Sequence, residues 1–199
     1  MPPVLGRLAA ILAIGCTLAG TGLVAYCVTA TRRLWFDGYV SEAGVGAEAS
    51  GYLLGILGIG AGLVLAGGAV VRFLPLAAGL LAGAGLFAGV SGSVPCSAGC
   101  PLPPYETATT ADLVHAGASI LAVGTVALAM IALALAPAVD ALVRRVSRLA
   151  GYVIVPLIAA AGFAILGLGR GPLTGLLERT VLVLATLWTV VVCARAARP

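Results

Sequence analysis

Six apolar stretches dominate this chain, at about 8–29, 51–71, 75–93, 113–136, 150–169 and 179–195, each bounded by charge or proline. A membrane-spanning helix needs about 20 apolar residues to cross a hydrocarbon core of about 30 Å. Hydrophobic residues are 61% of the 199, enough for six such helices and little else. Charged residues are 9%, whereas a soluble domain carries about 25%, so a soluble globule is excluded. Disorder is excluded too, because it needs low hydrophobicity and high charge. Barrel strands alternate apolar and polar residues over about 10 positions, and Leu121 to Ala136 does not alternate. In lipid a continuous apolar run satisfies its backbone only as a helix. The expected fold is therefore an all-α integral membrane protein, a six-transmembrane-helix bundle forming a single transmembrane domain over 1–199.

The basic residues predict its orientation. All 11 are arginine. Six spans put both termini on one side, with Arg7, Arg72, Arg144, Arg145, Arg148, Arg195 and Arg198. Arg32, Arg33, Arg170 and Arg179 fall on the other. The positive-inside rule then places both termini in the cytoplasm. Of the acids only Asp140 lies inside, while Asp37, Glu42, Glu48, Glu106, Asp112 and Glu178 lie outside, so the sides carry +6 and −2 of the net +4. The Arg144, Arg145, Arg148 cluster reads as a topology determinant, or as a site for anionic lipid headgroups. Scattered arginines and a small net charge argue against nucleic acid as a partner.

The first apolar run, about 22 residues long, exceeds a signal-peptide core of about 7–15 and is kept as a span. Leu12 to Cys16 resembles a lipoprotein cleavage site, with the leucine one place too early. Pairs such as Gly51/Gly55, Gly58/Gly62, Gly79/Gly83 and Gly85/Gly89 have the spacing that lets helices approach closely. They serve packing within one bundle, or a dimer interface. Pro156 predicts a kink in span five. Gly55 to Gly62 lacks a following Lys-Ser/Thr and is not a phosphate loop.

Chemistry-bearing side chains gather on the outer side. Cys96 and Cys100, four apart and flanked by proline and glycine, are expected to form a structural disulfide where thiols tend to oxidise. A redox pair normally has Cys-x-x-Cys spacing, and zinc would need a second ligand pair. Cys16, Cys27 and Cys193 read as small packing residues. Asp112 and His115 share a helix face at the mouth of span four. They suit a general base oriented by a carboxylate, or half of a metal site. Equally, Thr109 suits an N-cap with Asp112 at the third helical position. Glu178-Arg179 is read as opening span six, either turned into the mouth toward Asp112, His115 or Glu42, or snorkelling to the interface. Trp35, Tyr39, Tyr105 and Trp188 read as interfacial anchors.

Four elements carry a family resemblance: Ser41-Glu42-x-Gly44 after span one, the proline-rich Cys96 to Tyr105 segment, Asp112-x-x-His115, and Glu178-Arg179. In this order they resemble the bacterial six-span membrane family labelled domain of unknown function 998, and loosely the Frag1/DRAM/Sfk1 group. The resemblance implies a compact six-helix protein of the bacterial cytoplasmic (inner or plasma) membrane and carries no activity with it. The Cys96/Cys100 pair departs from the family pattern, which favours a local staple.

Three function classes follow. One is a non-enzymatic membrane protein binding a lipid or a membrane-protein partner through a polar outer mouth. The candidate site is Ser41, Glu42, Glu106, Asp112, His115, Glu178 and Arg179, with no metal and no cofactor assigned. The second is a membrane-embedded hydrolase or metal-dependent enzyme using His115 with nearby carboxylates. The third, a transporter, is disfavoured because no ionisable residue is expected near a span centre and no inverted repeat stands out.

Overall fold

The computed structural model describes residues 3–31 and 37–198, so Arg32, Arg33 and Trp35 lie outside the described residues. Within these the chain forms six long helices: α1 (Pro3–Ala30), α2 (Ala49–Val70), α3 (Pro75–Ser93), α4 (Thr110–Leu135), α5 (Ala141–Leu168) and α6 (Pro172–Ala196). A short 3-10 turn, Val40–Gly44, lies between α1 and α2. All six helices are long and apolar enough to cross a membrane. The shortest, α3, has 19 residues, about 28 Å at 1.5 Å per residue.

Local chemistry sets the helix starts. Pro75 and Pro172 occupy the first turns of α3 and α6, where proline's missing N–H costs nothing. Thr109 and Asp112 cap α4 reciprocally, as the spacing predicts. The Asp140 carboxylate accepts from Leu142 N and Val143 N at the start of α5. Three helix starts differ most from the sequence reading. α1 begins at Pro3, five residues before the expected 8, and takes in Arg7. α5 begins at Ala141, so the arginine cluster rides on its first turns; α6 begins at Pro172, so Glu178 and Arg179 sit in its second turn. Charged residues were read as span limits, but a helix persists beyond the hydrocarbon into the headgroup layer. α5 runs on through Pro156.

Each helix packs on its chain neighbours, and α6 closes the ring against α1. Thr21 and Thr186 hydrogen-bond across that seam at 3.1 Å. Arg7 Nε donates to Ala197 O at 3.0 Å, which puts both termini at one end. The core is built from small side chains, with Ala10, Ala13, Ala77, Ala84, Ala129 and Met130 wholly enclosed.

Glycine makes the α1–α2–α3 half tight. A Cβ on Gly20 would lie 2.6 Å from Gly55 O, and one on Gly60 would lie 2.8 Å from Gly85 O. These glycines therefore serve intrahelical-bundle packing. Gly79 and Gly83 face open space instead. α5 is the least covered helix: 11% of its most apolar window is buried, against 44% in α2 and α4, so α5 turns most of its surface outward. Trp188 is not an interfacial anchor. It is buried between α6 and α5, and its Nε1 donates to Ser147 Oγ at 3.0 Å.

Candidate functional site

At the end away from the termini, residues 37–44 lie across the bundle as a strap. Gly38 takes φ +80, a conformation easy only for glycine. Its N–H donates to Asp37 Oδ1 at 2.8 Å. Two carboxylates then receive the first N–H groups of the turn. Glu42 folds back to accept from Tyr39 N, and Glu178 reaches from α6 to accept from Val40 N, both at 2.8 Å. Negative charge at such an N-terminus is favoured by the peptide dipoles.

Two arginines complete the lock. Arg170, in the α5–α6 link, grips Glu42 bidentately through Nε at 2.6 Å and Nη2 at 2.7 Å. Arg179 Nη1 donates to Gly38 O at 3.2 Å, and that carbonyl nests against the bare Cα of Gly175. Hydrogen bonding to Glu42 holds the Arg170 pKa above its usual range. Tyr39 is buried under the strap, not an interfacial anchor. Burial first, then the charges of Glu178, Glu106 and Glu42, push its phenol up to about 12.

A second cluster holds the α3–α4 loop. Asp112 accepts from Ser97 N at 2.6 Å, Ser97 Oγ at 3.2 Å, and Thr109 N and Oγ1 both at 2.7 Å. Four donors leave this carboxylate no free direction. Cys96 and Cys100 stand at disulfide distance with Cα atoms 5.0 Å apart. Ser41 Oγ donates to Cys100 Sγ at 3.4 Å, which ties the loop to the strap.

His115 is the third element, 5% exposed on α4. Its Nδ1 lies 2.8 Å from Ser91 O and 3.0 Å from Val94 O. Ser91 Oγ is a third, longer contact at 3.4 Å. The two short partners are carbonyls, which can only accept, so Nδ1 carries a proton and donates to the end of α3. Nε2 makes no hydrogen bond to any described residue. In the Nδ1–H tautomer it is the nitrogen left to accept a hydrogen bond. Ser91 Oγ and Ser119 Oγ are 2.7 Å apart, and Ser119 donates to the backbone His115 O, which links α3 to α4 beside the ring. His115 lines a half-open cavity of about 170 Å³ bordered by the strap, α2, α3 and α4. Ser41, Ser50, Ser91, Ser93 and Tyr52 contribute to its wall, and among the described residues no carboxylate or arginine does.

The structure therefore divides the seven candidate residues. Glu42, Glu178 and Arg179 belong to the strap lock, Asp112 to the loop clamp, and Ser41 and His115 to the cavity. Glu106 is exposed and its side chain makes no hydrogen bond or ion pair among the described residues. The Asp112 carboxylate turns to Ser97 and Thr109, not to His115. Among the described residues no three His, Cys, Asp or Glu side chains converge as a metal site. Sequence reasoning missed Arg170 as the partner of Glu42, and missed the serines facing His115. The Gly169-Arg170-Gly171-Pro172 link was the available signal, since an arginine fixed between turn residues is well placed to reach a neighbouring loop.

Neither a curated protein nor a solved structure matches this chain. A family model described as "Protein of unknown function (DUF998)" matches residues 13–195. That span runs from within α1 to the last turn of α6 and includes the strap, the clamp and the cavity; the chain is a member of the DUF998 family.

Proposed function

We propose that this is a non-enzymatic multi-pass protein of a bacterial cytoplasmic membrane. It binds a neutral, hydroxyl-bearing lipid headgroup in the cavity beside His115, on the extracytoplasmic side. The arginine distribution supports that orientation. One observation supports the binding reading: His115 is fixed through Nδ1 to two carbonyls, which leaves Nε2 as the ring's remaining polar atom beside a cavity lined by four serines. An uncharged wall of donors and acceptors suits a sugar or glycerol headgroup better than an ion. A catalytic reading has less support. A histidine base is normally oriented by a carboxylate, and the nearby carboxylates are engaged elsewhere.

The test is native mass spectrometry of detergent-solubilised protein with added diacylglycerol glucoside. The His115→Asn variant keeps an amide N–H near the Nδ1 position but has nothing at Nε2. It should stay folded and lose lipid occupancy by about tenfold, the value of one buried hydrogen bond. His115→Ala should lose stability as well. Equal occupancy in wild type and His115→Asn would sink the binding reading. Cleavage of the glucoside by wild type alone would favour the enzyme.

A further inference from the structure

The opposite end of the molecule carries a second cavity of different chemistry. It holds about 240 Å³ and lies where the α2–α3 turn, the α4–α5 link and the end of α6 meet. Arg72, Arg195 and Arg198 line it, with Asp140 as the one acid. Its back wall is apolar and includes the buried Val143 and Val192.

Asp140 is already engaged. Oδ2 accepts from Arg195 Nη2 at 2.9 Å, and Oδ1 accepts from the two N–H groups that open α5. Among the described residues no carboxylate pairs with Arg72 or Arg198. The Arg72 guanidinium lies over the Phe73 ring, 4.4 Å from its centre, a contact that leaves its N–H groups without a carboxylate among the described residues. The Arg198 side chain makes no hydrogen bond or ion pair among the described residues. Two guanidiniums without carboxylate partners thus border an apolar recess at a helix-end level of the bundle.

We propose that this cleft binds the phosphodiester of an anionic phospholipid, with the glycerol and upper acyl carbons against the Val143 and Val192 wall. Guanidinium forks match phosphate oxygens bidentately. A free phosphate would use the same forks but has nothing to place on the apolar wall. The inference is independent of the His115 cavity, which lies at the other end.

Lipid binding can be titrated in neutral detergent with phosphatidylglycerol, phosphatidylcholine or inorganic phosphate, read by native mass spectrometry and thermal midpoint. Phosphatidylglycerol should bind and raise the midpoint, and phosphatidylcholine should not. The Arg72→Gln/Arg198→Gln variant, checked for helicity by circular dichroism, should weaken phosphatidylglycerol binding roughly tenfold or more. Arg145→Gln/Arg148→Gln makes the same charge change in the α5 arginine cluster, outside the cleft, and should weaken phosphatidylglycerol binding less than the cleft variant does. Equal loss in the two double variants would overturn the proposal in favour of a diffuse field, and unchanged binding in the cleft variant would overturn it outright. Full competition by millimolar phosphate would reassign the cleft to a free anion.

Discussion

Asp140 holds three groups at once: the Arg195 guanidinium and the N–H groups of Leu142 and Val143. The Arg195 hydrogen bond leads in lowering its pKa from 3.8 to about 2. The unfolded chain therefore takes up the proton first on acidification. The contribution of Asp140 to stability is fully present above about pH 4 and is lost as pH falls through about 2. The thermal midpoint of wild type should drop over that window more than that of Asp140→Asn; equal slopes would remove Asp140 from the acid limb. Residue-level chemistry was legible where it is local. Thr109 and Asp112 are three apart, and their cap follows from spacing. Glu42 and Arg170 are 128 apart, and nothing in either neighbourhood specifies the other. Tyr39 and Trp188 look like any interfacial aromatic until their surroundings are known.

The elements themselves were easier to read, because an apolar run of sufficient length has one way to satisfy its backbone in lipid. Their ends were not. α5 has 28 residues, about 42 Å, which is close to the whole bilayer with its headgroups. A charge within such a helix marks the depth of the headgroups, not the helix end. Glycine spacing alone also cannot distinguish a packed face from a bare one. Gly20→Ala would push a methyl into the backbone of α2 at Gly55 and Ile59. It should cost about 1–3 kcal/mol, the usual range for overpacking. Gly79→Ala meets open space and should be neutral or stabilising by up to about 1 kcal/mol, since alanine is the better helix former. Thermal unfolding in detergent distinguishes the two. Equal effects would mean that the α1–α2 contact is looser than its geometry.

Across the whole molecule, the bundle is a ring with unlike ends. The termini end is bound by arginine to Asp140 and to the backbone, while the far end is closed by the strap and the Cys96–Cys100 loop. Orientation can be checked with a membrane-impermeant maleimide on intact cells. A cysteine placed at the exposed loop position by Ala98→Cys should react, and Cys16, Cys27 and Cys193, which lie within helices, should stay silent. Labelling of the Cys96–Cys100 loop only in opened cells would invert the topology. The ring order has a consequence for biogenesis. As the ribosome releases the chain, α2 finds α1 already in the bilayer, α3 finds α2, and so on through α6. α1 alone has to wait, its Thr21 hydroxyl facing lipid until α6, the last of the six helices to leave the ribosome, brings Thr186 alongside.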